Sequence, residues 1–191
     1  NYLCTLNSDG KFKKVLFDQD MIKSNRSFTI TKLKNNIKTI DSFIFSTEEK
    51  NLIILTSIGR IFKFNLSNNI LVPNTKQSQG LLLAKLFPTE KIVSCCPFEN
   101  GENIYLISQQ GKIFNINSDD IYYANECNLG YLNEKTQLKN DYFLKITTND
   151  HYLDIETNKN KSARLDFEKL TFKSNKTYFL NDLLKLSTEE R

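Results

Sequence analysis

Three cations in this chain stand in the same chemical setting. Lys11, Arg60 and Lys112 each follow a glycine directly, at Gly10, Gly59 and Gly111, and each opens a short apolar stretch. The glycines lie 49 and then 52 residues apart. A cation repeated at such an interval can meet a polyanion at regular points along a stack of similar units. Other chemistry has little to work with. His151 is the only histidine, and there is no Gly-x-Ser-x-Gly elbow, phosphate loop or compact carboxylate pair, so no catalytic residue is expected. The four cysteines, Cys4, Cys95, Cys96 and Cys127, form no Cys-x-x-Cys pair, so no metal site is expected either.

The elements that must carry these cations follow from the local pattern. Asn51–Thr56 is apolar and rich in β-branched residues, which suits a strand buried on both faces. Ser57, Ile58 and Gly59 make a turn, and Arg60 to Phe64 returns, with Arg60, Phe62 and Phe64 on one face and Ile61 and Lys63 on the other. The apolar runs at residues 2–6 and 104–107 precede the other two glycines in the same way. A second half repeats as well. Residues 30–33 align with 83–86, Lys38 with Lys91, Ile40 with Val93, Ser42 with Cys95 and Phe45 with Phe98, all at an offset of 53. The polar stretch 72–80 reads as an exposed loop that lengthens the second copy. A fourth, degraded copy is expected at 146–155, with Asp150 in the glycine place and His151 in the basic place. His151 then reads as an exposed turn residue, and 181–186 as a short capped helix. The repeats run approximately over residues 1–48, 49–101, 102–140 and 141–180.

Composition bounds the reading. Hydrophobic residues make up 39% of the 191 residues and aromatics 12%, enough to build a core. No signal peptide or membrane-spanning run is visible. The chain begins without methionine inside a strand pattern and is read as a fragment of a longer polypeptide. Cys95 and Cys96 point to opposite faces of a strand and read as packing residues in a reducing compartment. The excess positive charge lies in residues 1–40, which carry 8 basic and 3 acidic side chains (8 − 3 = +5) against +4 for the whole chain. Residues 41–120 carry 7 and 8, and residues 121–191 carry 11 and 11. The basic first copy suits a polyanion such as nucleic acid, and it equally suits a solvated lysine surface. A propeller-type protein-interaction module without DNA binding is the alternative. The chain has no tryptophan and no paired glycines, which speaks against WD40 and kelch repeats.

The second copy resembles the repeat of the C-terminal domain of the A subunits of DNA gyrase and topoisomerase IV. The likeness rests on residues 52–64, on Pro73, on Lys76-Gln77-Ser78-Gln79-Gly80, on Ala84-Lys85-Leu86 and on Glu90-Lys91-Ile92-Val93. The resemblance implies an all-β fold, a β-pinwheel, with strands shared between neighbouring four-stranded blades. It implies non-sequence-specific binding and bending or wrapping of duplex DNA in the control of supercoiling. It further implies a parent ATP-dependent type IIA topoisomerase, with the rest of the A subunit and the ATPase B subunit as partners. ATP and magnesium would act elsewhere in that enzyme, so no cofactor is expected in this domain. A location in the bacterial cytoplasm, at the nucleoid, or in the plastid stroma would follow. The gyrase A box, Gln-Arg-Arg-Gly-Gly-Lys-Gly, is not matched. Ser24-Asn25-Arg26-Ser27-Phe28 stands in the corresponding stretch, so either the box lies upstream of this fragment or the protein lacks it and is of a topoisomerase IV-like or divergent type, and the sequence does not choose between gyrase and topoisomerase IV.

With that resemblance, Lys11, Lys13, Lys14, Arg26, Arg60, Lys63, Lys76, Lys85 and Lys112 become the candidate DNA contacts. Lys32 shares the repeat position of Lys85, and either could serve packing within a blade instead. Phe62, Phe64 and Phe114 read as core residues, given their place in the strand pattern.

Overall fold

The computed structural model describes residues 1–17, 23, 27, 29–45, 51–66, 78–124, 129–132, 136–148, 152–157, 159–167 and 177–181. Its strands are β1 (Tyr2–Asn7), β2 (Lys11–Leu16), β3 (Thr39–Phe45), β4 (Asn51–Thr56), β5 (Arg60–Asn65), β6 (Leu81–Leu82) and β7 (Ile92–Phe98). They continue as β8 (Asn103–Ser108), β9 (Lys112–Asn117), β10 (Tyr131–Leu132), β11 (Phe143–Thr148), β12 (Tyr152–Glu156), β13 (Ser162–Asp166) and β14 (Thr177–Phe179). Three antiparallel sheets have the orders β3-β1-β2-β6, β10-β5-β4-β7 and β11-β8-β9-β14, and β12 pairs with β13. Each full blade thus takes its hairpin and the edge strand that follows it from one stretch of chain, which for the third blade runs through β11, past the expected repeat boundary at residue 140. Its other edge strand comes from the next repeat in sequence, so strands are shared between neighbours.

The hairpins form because the turn chemistry repeats. Gly10, Gly59 and Gly111 have φ of 81°, 85° and 81°, a region that side chains with a Cβ disfavour. Thr56 and Ser108 hydroxyls accept the backbone N–H of Arg60 and Lys112 at 3.2 and 3.1 Å. The fourth hairpin is the same device with asparagine for glycine. Asn160 has φ 55°, and the Thr157 hydroxyl accepts the Lys161 N–H at 3.2 Å. Asn160 lies 49 residues after Gly111, the spacing that separates Gly10 from Gly59.

This corrects the expected fourth copy. The run beginning at Ile146 is not the first strand of a hairpin. It belongs to β11, which pairs with β8 and occupies the place of β3 and β7 in their blades. Asp150 and His151 lie outside the described residues, as do most of loop 72–80 and nearly all of the expected 181–186 helix.

The blades stack face to face, and their cores lie between them. Leu52 and Ile54 of β4 pack toward blade 1 with Cys4 and Phe12, while Ile53 and Leu55 pack toward blade 3 with Ile104 and Leu106. β4 is therefore buried on both faces. Tyr105 and Ile113 of blade 3 meet Leu165 and Phe167 of the fourth hairpin. Strands β3, β7 and β11 approach one another. They line a cavity of about 440 Å³ together with residues of β12, and the Lys145–Asp41 ion pair, at 3.6 Å, links blade 3 to blade 1 there.

Cys95 and Cys96 fall on opposite faces of β7, one in each of the two larger cores. Burial pushes both thiols well above their ordinary pKa. Thiolate is the reactive form. Both should therefore resist iodoacetamide at pH 8 in the folded chain and react once urea unfolds it, as read by peptide mass spectrometry. Rapid labelling of either in the folded chain would contradict this packing.

Candidate nucleic-acid interface

The cations that follow the turn glycines do not share one fate. Arg60 is only 4% exposed. Its guanidinium forms a two-point ion pair with the Glu90 carboxylate, through Nε at 2.8 Å and a short Nη2 contact. It also donates to the carbonyls of Lys85, at 2.8 Å, and Leu129, at 2.6 Å, and it lies 4.1 Å from the centre of the Phe87 ring. Burial pushes the Glu90 carboxyl upward, but hydrogen bonds from Arg60, the Phe87 N–H and the Thr56 hydroxyl outweigh it and hold the group below its ordinary pKa. Arg60 is thus a clamp joining its hairpin, the connection that follows blade 1's outer strand, and the approach to β10.

Lys14 and Lys63 occupy one repeat position and also face inward. Lys14 Nζ donates to the Leu66 carbonyl at 3.0 Å, and Lys63 Nζ to the Ser118 carbonyl at 2.9 Å. Each reaches from its own blade to the residue just past the second hairpin strand of the next blade or its following turn. The Lys14 ammonium lies over Tyr2, and that of Lys63 over Tyr123, both at 4.4 Å from the ring centre. Desolvation lowers the pKa of both. In blade 3 the position holds Asn115, 1% exposed, whose amide atoms have no partner among the described residues. Asparagine is too short to repeat the lysine's reach. In the fourth hairpin the position holds Arg164, exposed and paired with Asp154 across the strands. Lys13 is wholly buried, donating to the carbonyls of Ile30 and Ser78, and desolvation lowers its pKa as well.

Four of the nine expected contacts, Lys13, Lys14, Arg60 and Lys63, are therefore buried among carbonyls, a carboxylate and aromatic rings. Lys11 is half-buried between Asp9 and Gln79. Lys112 is half-buried as well; burial pushes the nearby Asp141 carboxyl upward, but hydrogen bonds from the Ser108 hydroxyl and the Gln110 and Tyr142 N–H groups, with the Lys112 charge, hold it below its ordinary pKa. Lys85 is exposed. Arg26 and Lys76 lie outside the described residues. Phe62, Phe64 and Phe114 are core residues, as the strand pattern implies.

Exposed cations stand on the connections that lead into β3, β7 and β11, and others stand at Lys23, Lys145, Lys159, Lys161 and Arg164. Lys32, Lys34 and Lys38 are exposed in the first, Lys85 and Lys91 in the second and Lys139 in the third. Residues 29–38 contain no acidic side chain, and Glu90 in the second connection is buried. The connections are bound to the blades in a repeated way. The N–H groups of Ser8, Ser57 and Gln109 donate to the carbonyls of Lys38, Lys91 and Tyr142 at 2.8, 2.9 and 2.9 Å. Two residues before each of these carbonyls, Asn36, Thr89 and Asn140 have positive φ. The repeat thus places Lys38 and Lys91 alike at the turn ends of successive blades. Sequence reasoning had aligned these two lysines without counting them as site residues.

The architecture is that of a β-pinwheel. The chain is similar to a crystal structure of the C-terminal domain of DNA topoisomerase IV, with TM-score 0.72 and 15% identity over 99% of this chain and 66% of that one. It is similar to a DNA gyrase A C-terminal domain, with TM-score 0.67 and 20% identity over 91% of this chain and 57% of that one. A third match is the E. coli ParC C-terminal domain, with TM-score 0.60 and 16% identity over 91% and 74% of the two chains. The chain thus spans about two thirds of the topoisomerase IV domain and less of the gyrase one. At these identities the likeness is one of fold. No protein-family model and no curated protein sequence matches the chain. No helix among the described residues is long and apolar enough to cross a membrane.

Proposed function

We propose that this chain is the C-terminal domain of a type IIA topoisomerase A subunit and that it binds duplex DNA without sequence preference, bending it along the blades. The observation that carries the reading is the pair Lys38 and Lys91 with their neighbours Lys32 and Lys85. These are exposed cations at matching positions of successive blades, in the fold that topoisomerase domains share. Cations spaced along a curved array neutralise phosphates and read no bases. Bending a short duplex costs on the order of 1–6 kcal/mol, which added phosphate contacts offset. In this reading strand cleavage and ATP use belong to other parts of the parent enzyme. Its A-subunit remainder and ATPase subunit are the protein partners, in a nucleoid-containing compartment.

The test is binding of the 191-residue chain to two duplexes of unrelated sequence while salt is raised. The two affinities should agree. With about six phosphates contacted, roughly three decades of affinity should be lost between 50 and 200 mM salt. No binding at low salt, or tight binding indifferent to salt, contradicts the reading. Relaxation of a nicked or relaxable plasmid with the bound chain present, followed by closure, separates the subtypes. A one-handed change in linking number marks wrapping, and binding without it marks the topoisomerase IV-like role.

A further inference from the structure

The turn-end connections of blades 1 and 2 carry the same cations but are not held alike. In blade 2, the Lys85 carbonyl takes a hydrogen bond from Arg60, and the Glu90 carboxylate receives both the Arg60 fork and the Phe87 N–H at 2.8 Å. Lys91, at the other end, donates its N–H to the Ser57 hydroxyl at 3.1 Å and accepts the Ser57 N–H. Both lysines that face solvent therefore rise from pinned backbone.

In blade 1 the turn itself is the same. Ile37 N–H donates to the Lys34 carbonyl and Glu90 N–H to the Phe87 carbonyl, each at 3.1 Å. The clamp is missing, however. Lys11 stands in the place of Arg60 and turns to Asp9 and Gln79, while Ile37 stands in the place of Glu90. Lys38 keeps its bonds to Ser8, and among the described residues the Lys32 end is held by the single Lys13 ammonium at the Ile30 carbonyl, two residues upstream, rather than by a guanidinium fork tied to a carboxylate. In blade 3 the Asp141 carboxylate closes on the N–H groups of Gln110 and Tyr142 rather than on an arginine fork.

We infer that Arg60 and Glu90 are positioning residues for DNA binding and that the blade 2 connection, with Lys85 and Lys91, is the anchor of the bound duplex. The inference rests on the DNA-binding reading above. It runs against the charge distribution, which puts the excess cations in the first copy. Its physical basis is preorganisation: cations on a fixed backbone give up less freedom when they meet phosphates, so each contact yields more affinity. Lysine in place of Arg60 keeps the charge but loses the planar fork that grips Glu90 and the Lys85 carbonyl together.

The test compares two surface pairs by titration with a fluorescent duplex of arbitrary sequence. Lys85→Gln with Lys91→Gln should weaken binding roughly two- to tenfold more than Lys32→Gln with Lys38→Gln. In an Arg60→Lys background, the loss caused by the Lys85 and Lys91 changes should shrink toward that of the blade 1 pair. Glu90→Gln serves as a second clamp variant, and thermal melting confirms that each protein compared is folded. Equal losses for the two pairs, or a blade 2 loss unchanged by both clamp variants, overturn the inference. If the wild-type chain does not bind the duplex at low salt, the DNA reading itself falls and takes the inference with it.

Discussion

Replacing Arg60 with methionine is expected to cost about 3–5 kcal/mol of folding stability, because it leaves Glu90 as an uncompensated buried charge. The Glu90 side chain is 1% exposed, so water cannot take over the role of the guanidinium. The Lys85 and Leu129 carbonyls lose their donor in the same step. Replacing both partners, as Arg60→Met with Glu90→Leu, removes the stranded charge and should cost far less than Arg60→Met alone. Urea unfolding of the two variants and the wild type measures both numbers. The pH dependence has a definite sign. The folded pKa of Glu90 is depressed, so its contribution is fully present above the unfolded carboxylate pKa of about 4.3 and is lost as pH falls through the folded value. The gap between wild type and Arg60→Met should therefore narrow on acidification. A loss below about 1 kcal/mol at pH 7, the level of an exposed ion pair, would contradict the clamp.

The hairpins were legible in the sequence because turn chemistry and strand patterning agree there. Gly59 and Gly111 need positive φ, and the runs before them are apolar without a break. The offset of 53 between Lys38 and Lys91 was legible too, and it proves to be the spacing of equivalent backbone hydrogen bonds. Cys95 and Cys96 alternate into separate cores, as a strand buried on both faces requires.

The burial of the cations was harder to see. Lys63 shares its strand face with Ile61, while Phe62 and Phe64 fill the opposite face, and both faces are buried, so β5 has no solvent face to offer it. A formal charge signals exposure only when one strand face is polar. Here a carbonyl of the next blade and an aromatic ring take the place of water. The partner of that lysine lies 55 residues away in sequence, and no local pattern announces it. The fourth hairpin was missed for a different reason. Asp150 and Asn160 both tolerate the left-handed region, so local conformational preference does not decide between them. Thr157-Asn158-Lys159-Asn160-Lys161 repeats the threonine, the left-handed residue and the cation of Thr56 to Arg60.

Changing Lys32, Lys38, Lys85 and Lys91 together to glutamine is expected to weaken DNA binding by orders of magnitude while the fold survives. All four are exposed, and such surface substitutions typically change stability by less than about 0.5 kcal/mol each. The buried lysines should behave in the opposite way. Lys63→Met strands the Ser118 carbonyl and should lower stability by roughly 1–3 kcal/mol, yet the chain that remains folded should keep its DNA affinity. Affinity alone can fall for many reasons, whereas the number of ions released on binding counts phosphate contacts directly.

The most direct measurement is therefore the slope of log affinity against log salt, taken side by side for the wild type, the four-lysine variant and Lys63→Met. If the connections carry the contacts, the four-lysine slope is shallower than wild type by about 3.6, since each lost phosphate contact removes about 0.9. The Lys63→Met slope then matches wild type. A four-lysine variant whose slope equals wild type, or a Lys63→Met slope that is shallower instead, would contradict the account and return the DNA path to the buried positions.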